Sequence, residues 1–334
     1  MIKKIYSQIR KVLPRDFNGF ITKTLFSFGV KPTTQKVKSP LKKGAVVFSA
    51  DFEMAWAFRY SKKQAENAEN KGVEERNNVP FFIKLFEEYN IPITWATVGH
   101  LFLKECNSEN STAHAEMPRP EYFENKNWLF EKGDWYDHDP CTNFEKDPAW
   151  YAPDLIEMIK NSPVQHEFGC HTFSHIDMTY KNCTKEIANK EILKCKELAE
   201  QDGVLLKSMV FPGGTLGNFE VLKENGFTNY RKPLGYDVGL PIKDKYSLWA
   251  IPSSTGLDKT QYNWSKTIYI KHIKAFLKKA ARKKMVVHFW FHPSMDKWYL
   301  ENVFPEILRI ADQYREMGRI DVLTMHQVAE RMEK

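Results

Sequence analysis

Short β-rich runs and segments of helical periodicity take turns along most of the chain. The β-rich runs lie at about 45–50, 93–98, 165–171, 206–211, 227–231, 247–251, 284–292 and 320–324, and the helical patterns at about 75–89, 153–161, 184–202, 266–283 and 303–317. Strands that alternate with helices predict βαβ units and a parallel sheet. With 334 residues, of which 42% are hydrophobic, the chain is long enough for one large α/β barrel with appendages.

Two acids and two histidines have the spacing that a catalytic metal site needs. Asp51 and Glu53 follow the apolar run at 45–48, and in an extended chain their side chains point to the same side. His171 and His175 are four residues apart, so on a helical turn their Cβ atoms would lie roughly 5–6 Å apart and both rings would reach one ion. Zinc held by two imidazoles and one carboxylate keeps a position open for water. Taken alone, each pattern is more often a packing feature than a metal site.

A late strand carries two further histidines on one face. His288, Trp290 and His292 occupy alternate positions of the run at 284–292, so all three side chains face the same way. Chemistry in α/β folds is placed at the carboxyl ends of strands. His292, just before Pro293, is therefore a candidate general acid, whereas His288 is predicted to be a hydrogen-bonded core residue.

The order of these motifs resembles that of the polysaccharide deacetylases of the NodB-homology class, which are similar to carbohydrate esterase family 4. The resemblance rests on Asp-x-Glu after a strand, Gly-Cys-His-Thr-Phe-Ser-His, Phe-Pro-Gly-Gly, Gly-Phe-Thr-Asn-Tyr-Arg and a late Phe-His-Pro. It extends from about residue 45 to about residue 330. It implies a distorted (β/α) barrel, a divalent metal, and hydrolysis of an acetamido or acetyl group on a sugar.

The resemblance also implies a role for each motif residue. Asp51 would be the general base, and Glu53, His171 and His175 would hold the ion. Most members of the family have two adjacent aspartates in the first motif, so an exchange of roles between Asp51 and Glu53 stays open. His292 would protonate the leaving amine. Zinc is the expected ion, although cobalt, nickel and manganese accept the same ligands.

The third motif departs from the family pattern. Members usually place an Arg beside a Pro in this turn, whereas this chain has Pro212, Gly213 and Gly214 there. The glycines would either let backbone N–H groups approach the substrate or simply form a turn. Arg231 would either supply the missing charge or lie on the surface. Together with Trp290, these four residues are the predicted substrate-binding set.

An aromatic-rich insertion interrupts the alternation at about 103–152, within a predicted barrel domain that spans 44–334. It contains Trp128, Trp135, Tyr136, Trp150 and Tyr151 among several aspartates. Long insertions of this kind are usually functional or disordered. Because aromatic faces and carboxylates suit sugar rings, a loop that covers the substrate is favoured over a packing insertion. His138 would be an additional metal ligand or, as is more common, a solvated side chain.

Positive charge is concentrated in an N-terminal arm, residues 1–43. This arm has eleven Lys and Arg and one acid, Asp16, whereas the chain as a whole has a net charge of +7. Apolar residues at 2, 5, 9, 12 and 13 form a helical stripe opposite lysines. The arm therefore either contacts an anionic membrane surface or docks on the barrel. A nucleic-acid partner is not expected, because no nucleic-acid-binding signature accompanies the charge.

The five cysteines have no disulfide framework spacing, which favours a reducing cytoplasm, with the arm at the inner membrane face. Cys170 is predicted to be a buried packing residue. The arm also lacks a clear secretion signal. These features suggest an acetylated, lipid-linked or activated glycan precursor as substrate. Two alternatives stay open: a catalytically silent barrel that binds glycan, and an amidase acting on a non-sugar molecule.

Overall fold

The computed structural model of the protein describes residues 39–106, 108–109, 112–233, 237–258 and 264–334. The prediction for the basic arm falls almost entirely on residues 1–38, which lie outside the described residues. In the described part of the chain, no helix combines the length and the apolar character needed to cross a bilayer.

One sheet of ten strands organises the molecule. Fourteen strands are described: β1 Gly44–Phe52, β2 Thr94–Thr97, β3 Ser108–Glu109, β4 Thr112–Ala113, β5 Phe123–Glu124, β6 Leu129–Phe130, β7 Glu167–Cys170, β8 Ser208–Met209, β9 Asn229–Pro233, β10 Ile242–Lys243, β11 Trp249–Ser253, β12 Thr255–Gly256, β13 Val286–Phe291 and β14 Ile320–Val322. The main sheet has the order β10-β11-β9-β8-β7-β2-β1-β13-β12, and β14 also pairs with β1. Every pair in it is parallel except β10 with β11.

Helices connect the parallel strands. The α-helices are α1 Ala68–Glu88, α2 Pro153–Lys160, α3 Lys185–Gln201, α4 Phe219–Glu224, α5 Lys266–Lys283, α6 Lys297–Asn302, α7 Phe304–Glu316 and α8 Met325–Glu333. The predicted strands and longer helices are found close to their expected positions. The prediction missed α4, α6 and α8, which have six, six and nine residues. The curled sheet confirms the expected distorted barrel of the NodB type.

Strand β1 is an interior strand of the sheet and is buried along its whole length. It pairs with β13, β14 and β2, so neighbouring strands cover both of its edges. A strand buried on both faces reads as a continuous apolar run, which is why the segment at 45–48 could be recognised. Asp51 and Phe52 are the last residues of β1, and Glu53 follows them, so both acids lie at the carboxyl ends of the parallel strands.

The insertion at 103–152 folds into two short hairpins, β3–β4 and β5–β6, and packs against the barrel. The five aromatic side chains singled out in the sequence are almost completely buried: Trp128 6%, Trp135 2%, Tyr136 1%, Trp150 4% and Tyr151 0% exposed. Gly72 of α1 meets the insertion closely, since a Cβ there would lie 2.6 Å from the carbonyl oxygen of Ala149. Most of the insertion is thus a packing element, contrary to the expectation of a loop that covers the substrate.

Candidate active site

The carboxyl ends of β1, β7, β9 and β13 bring the predicted site residues to one cleft. Asp51 and Glu53 are each 4% exposed. Ser49 of β1 is in register with Trp290 of β13, which places His292 beside the two acids. The Nε2 atom of His292 lies 3.4 Å from Glu53 Oε1 and 3.9 Å from Asp51 Oδ2. Three segments distant in sequence therefore converge.

His171 and His175 meet at Glu53, although not through a helix. The segment 171–175 is irregular, and Thr172 and His175 have left-handed backbone conformations, with φ of 60° and 55°. The expectation that a helical turn brings the two rings together was therefore wrong. The ring centroids are nevertheless 4.9 Å apart. Both Nε2 atoms face the same oxygen, Glu53 Oε2, at 3.0 Å from His171 and 3.1 Å from His175.

The protonation of the two imidazoles shows what can lie between them and Glu53. The Nδ1 atom of His171 is 2.7 Å from the carbonyl oxygen of Val210, which can only accept, so Nδ1 carries a proton. In the neutral ring, Nε2 then presents a lone pair to a carboxylate, which also only accepts. Burial, opposed in part by Glu53, lowers the pKa of His175 to about 4, and its buried Nε2 has no hydrogen-bond partner. A cation among these three atoms would satisfy all of them.

The two acids are held in their ionised forms. Burial by itself would raise the pKa of Glu53, but the neighbouring imidazoles of His292, His175 and His171 outweigh it and keep that pKa well below its usual value. For Asp51, burial is outweighed chiefly by Arg231, and its pKa is also lowered. Both carboxylates are thus available at neutral pH, one to bind a cation and one to accept a proton.

Arg231 supplies the positive charge that the third motif lacks. It extends from β9, and its two terminal guanidinium nitrogens, Nη1 and Nη2, donate to Asp51 Oδ1 and Oδ2 at 2.5 and 2.6 Å. It also donates to Ser49 Oγ at 3.0 Å, and its Cζ lies 5.2 Å from the centre of the Trp290 ring. Planar bidentate pairing is among the strongest contacts a guanidinium makes with a carboxylate. The alternative of a surface guanidinium was therefore wrong.

The glycine turn forms part of the cleft wall. Gly213 and Gly214 have φ of +57° and +73°, conformations that favour glycine, and a Cβ on Gly213 would lie 2.8 Å from the Trp128 ring. The N–H of Gly214 donates to the carbonyl of Phe211, so it is already used within the turn. Pro212 is buried and does not line the cleft.

The cleft has a volume of about 410 Å³. Its walls contain the two acids, the ring of Trp290, the accessible edge of Trp128, His292 and His175, and the mouth carries Lys62, Lys63, Gln64, Lys126 and Asn127. Trp128 is the one predicted aromatic of the insertion that lines this cleft. His288 lies deeper, fully buried, with Nε2 2.8 Å from Ser49 Oγ, as predicted for a core residue. His138 is exposed, at the edge of the Tyr60 ring.

Sequence reasoning missed the buried residues that hold in place the segments carrying the candidate metal ligands. Glu75 of α1 accepts the backbone N–H of Glu53 at 2.9 Å, and its own pKa is raised well above normal, mainly by burial. Arg59 donates to the carbonyl of Ser174 at 2.7 Å. Glu191 of α3 accepts from the N–H of Ser174 at 2.8 Å and from its hydroxyl at 2.6 Å. These residues carry no motif, because they act through contacts that only the fold creates.

Replacing Glu191 with Ala should destabilise the protein by about 2–3 kcal/mol, because the N–H and hydroxyl of Ser174 would lose their buried acceptor. The same change should weaken metal binding by loosening the segment 171–175. Urea unfolding followed by circular dichroism measures the first effect. Glu197→Ala, on the exposed face of the same helix, is the matched control. Equal unfolding midpoints for both variants would contradict this role of Glu191.

Comparison with known proteins identifies a family for part of the chain. Residues 70–231 match the family model described as polysaccharide deacetylase. Asp51, Glu53 and His292 lie outside that matched stretch, so their placement rests on the structure. No curated protein matches the chain.

Solved structures with the same fold are similar along most of the chain. A putative polysaccharide deacetylase from Mycobacterium smegmatis has a TM-score of 0.60 at 15% identity, covering 91% of this chain and 94% of its own. A probable polysaccharide deacetylase from Pseudomonas aeruginosa PAO1 has a TM-score of 0.58 at 14% identity, with coverage of 86% and 90%. PuuE allantoinase has a TM-score of 0.53 at 14% identity, with coverage of 92% and 96%. The matched stretch, residues 70–231, belongs to the polysaccharide deacetylase family, whose enzymes hydrolyse carbon–nitrogen bonds other than peptide bonds, and the solved structures extend the same fold along most of the chain.

Proposed function

We propose that the protein is a metal-dependent deacetylase that hydrolyses an acetamido group on a sugar. The observation that carries this proposal is the position of Glu53 Oε2, about equally far from the Nε2 atoms of His171 and His175. The Nε2 atom of His171 has no proton to donate in the neutral ring, and the buried Nε2 of His175 has no hydrogen-bond partner, so the cluster is suited to a cation rather than to hydrogen bonding. Glu53, His171 and His175 would be the ligands.

Zinc fits this donor set best. Two imidazoles and one carboxylate are a common ligand set of catalytic zinc, with a position left for water. The carbonyl of Val210 would orient His171, since metal-bound histidines usually donate their other N–H to such an acceptor. A bound divalent ion supplies one effect here, which is to lower the pKa of the attacking water from about 15.7 to about 7.

The proton transfers fall to Asp51 and His292. Asp51 takes the proton from the attacking water, and Arg231 keeps it ionised and fixes its orientation. His292 lies on the other side of Glu53 and has a partly exposed ring, so it can reach the departing amine. As the C–N bond breaks, His292 donates a proton to the nitrogen. Acetate and a free amine are the products.

The cleft suits a sugar. At about 410 Å³ it can hold one or two sugar units, and the ring of Trp290, with the edge of Trp128 beside it, offers the apolar contact that sugar C–H faces require. Lys63 and Lys126 at the mouth favour an anionic substrate such as a phosphate-linked glycan precursor. We therefore propose a precursor, rather than finished polymer, as the substrate.

Two other functions have less support than a sugar deacetylase. The absence of an arginine from the third motif suggested a catalytically silent barrel. Because Arg231 pairs with Asp51 and supplies that charge, the absence no longer favours a silent barrel. An amidase acting on a non-sugar molecule is favoured only by the similarity to PuuE allantoinase, which is a similarity of fold.

The test is a comparison of substrates with the zinc-loaded protein. Acetate release should be fastest from N-acetylated sugars whose reducing end carries a phosphate or diphosphate and slower from neutral N-acetylated oligosaccharides. Allantoin, assayed by ring opening, is the non-sugar control. Turnover of allantoin without turnover of any acetylated sugar would replace this proposal with the amidase alternative.

A further inference from the structure

A second group of metal-ligating side chains lies in the insertion, away from the cleft. Donor atoms of His100, Cys106, His114 and Asp139 all lie within 4.8 Å of one another. His100 belongs to the short helix Gly99–Phe102 that follows β2, whereas the other three belong to the insertion. His100 is fully buried, His114 and Asp139 are each 7% exposed, and Cys106 is half-buried.

The internal geometry of this group repeats that of Glu53 and its two histidines. One carboxylate oxygen, Asp139 Oδ2, lies 2.8 Å from His100 Nε2 and 2.7 Å from His114 Nε2. Cys106 Sγ lies 3.4 Å from the same oxygen. Two imidazole nitrogens, a sulfur and a carboxylate oxygen thus converge on one point.

His100 shows that hydrogen bonding alone does not satisfy the group. Its Nδ1 lies 3.3 Å from the carbonyl oxygen of Trp150, an acceptor, so the ring proton belongs there. Its Nε2 then presents a lone pair to the carboxylate. Despite the short distance to Asp139, the orientation is wrong for a hydrogen bond, and this fully buried nitrogen has no hydrogen-bond partner. A cation would resolve the conflict, and the Trp150 carbonyl would orient the ring as in known metal sites.

We propose that His100, Cys106, His114 and Asp139 bind a second, structural zinc ion. Two nitrogens, one thiolate and one carboxylate form a closed tetrahedral set with no position left for substrate. The two anionic ligands also balance the charge of the ion, as a buried site requires. With bonds of about 2.0–2.3 Å, tetrahedral ligand atoms lie roughly 3.3–3.8 Å apart, so Asp139 would withdraw by about half an ångström when the ion binds.

Such an ion would tie the insertion to the sheet. His100 follows a strand of the barrel, while Asp139 is thirty-nine positions further along the chain, among the buried aromatics. The carbonyl of Trp150 also accepts from Trp56 Nε1 at 3.1 Å, which links this group to the segment following Glu53. The ion would therefore stabilise the insertion and take no part in the chemistry of the cleft.

Cobalt substitution distinguishes the two metal sites, because the site in the insertion has a sulfur ligand, Cys106, and the site in the cleft has none. Purified full-length protein, kept reduced and reconstituted with Co²⁺, should bind two equivalents per chain and show a thiolate-to-cobalt charge-transfer band in the near ultraviolet. His175→Ala should lose one equivalent and keep the band. Cys106→Ser should lose the band, and Cys141→Ser, which changes a neighbouring thiol outside the four-residue group, should keep it.

Alkylation gives a readout that does not depend on colour. Zinc should protect Cys106 from iodoacetamide in the wild-type protein and in His138→Ala, but not in His114→Ala, as measured by peptide mass spectrometry. Circular dichroism tests whether each variant is folded. If His114→Ala does not fold, the number of bound metal ions is taken from Cys106→Ser, which is the most conservative change. One equivalent of metal in wild type with no charge-transfer band, or a band that persists in Cys106→Ser, would overturn the proposal.

Discussion

Asp51→Asn should lower kcat for acetate release by about 10²- to 10⁴-fold, the usual contribution of a well-placed proton acceptor. The amide has nearly the same shape as the carboxylate and can still accept one hydrogen bond from Arg231. It cannot take a proton from water, so the loss falls on the chemical step. KM should change little, because Asp51 is assigned to proton transfer and not to binding. Steady-state kinetics on an N-acetylated oligosaccharide measures both constants.

Glu124→Gln is the matched control for Asp51→Asn. Glu124 is an exposed acid of the insertion that pairs with Lys62 and does not line the cleft. Because Asp51→Asn leaves a buried arginine with a weakened partner, unfolding of each variant should be measured alongside its activity. A folded Asp51→Asn protein with the activity of Glu124→Gln would exclude Asp51 as the base and favour the exchanged assignment, in which Glu53 accepts the proton.

Removing the metal should reduce activity to the background rate, and zinc should restore it. Without a cation the attacking water keeps its normal pKa of about 15.7, and none of the nearby side chains replaces that effect. His175→Ala should resist restoration by zinc, because one of the three ligands is gone. His326→Ala is the matched control, since His326 follows β14 and contacts Thr228, at the opposite end of the sheet.

Metal binding should also be visible without any substrate. A ligand that binds only the folded protein stabilises it by about 2.7 kcal/mol at a hundred times its Kd. The unfolding temperature of wild type should therefore rise with added zinc, and that of His175→Ala should rise less. Full activity after exhaustive dialysis against a chelator, with no metal detected in the sample, would refute metal dependence.

Much of the fold could be predicted because its strands are buried and parallel. The segment at 45–48 is apolar since neighbours cover β1 on both edges and both faces, and the acids that follow it necessarily reach the carboxyl edge of the sheet. The late strand with His288 and His292 was predicted for the same reason. The position of each histidine along that strand, with His288 deeper than His292 on the same face, also predicted which of the two is buried.

The predictions that failed concern contacts that no local pattern encodes. The rings of His171 and His175 meet because Arg59 and Glu191 hold an irregular segment, whereas spacing alone suggested a helix. For Arg231 the sequence left two alternatives open, because its distance of 180 positions from Asp51 gives no sequence signal for the pairing that the structure shows.

The insertion shows the same limit. Its aromatic residues and aspartates looked like a sugar-binding surface, but burial shows that most of them pack against the barrel. The group formed by His100, Cys106, His114 and Asp139 has no regular spacing. The four side chains come together only in the folded protein, where the insertion packs against the helix that follows β2.

The most direct test of the central claim is anomalous scattering at the zinc absorption edge from crystals of zinc-loaded protein. We predict a peak in the cleft at about 2.0–2.2 Å from one oxygen of Glu53 and from the Nε2 atoms of His171 and His175, with Asp51 outside bonding distance. A structure in which both imidazoles donate hydrogen bonds to Glu53, with no peak among them, would contradict the account.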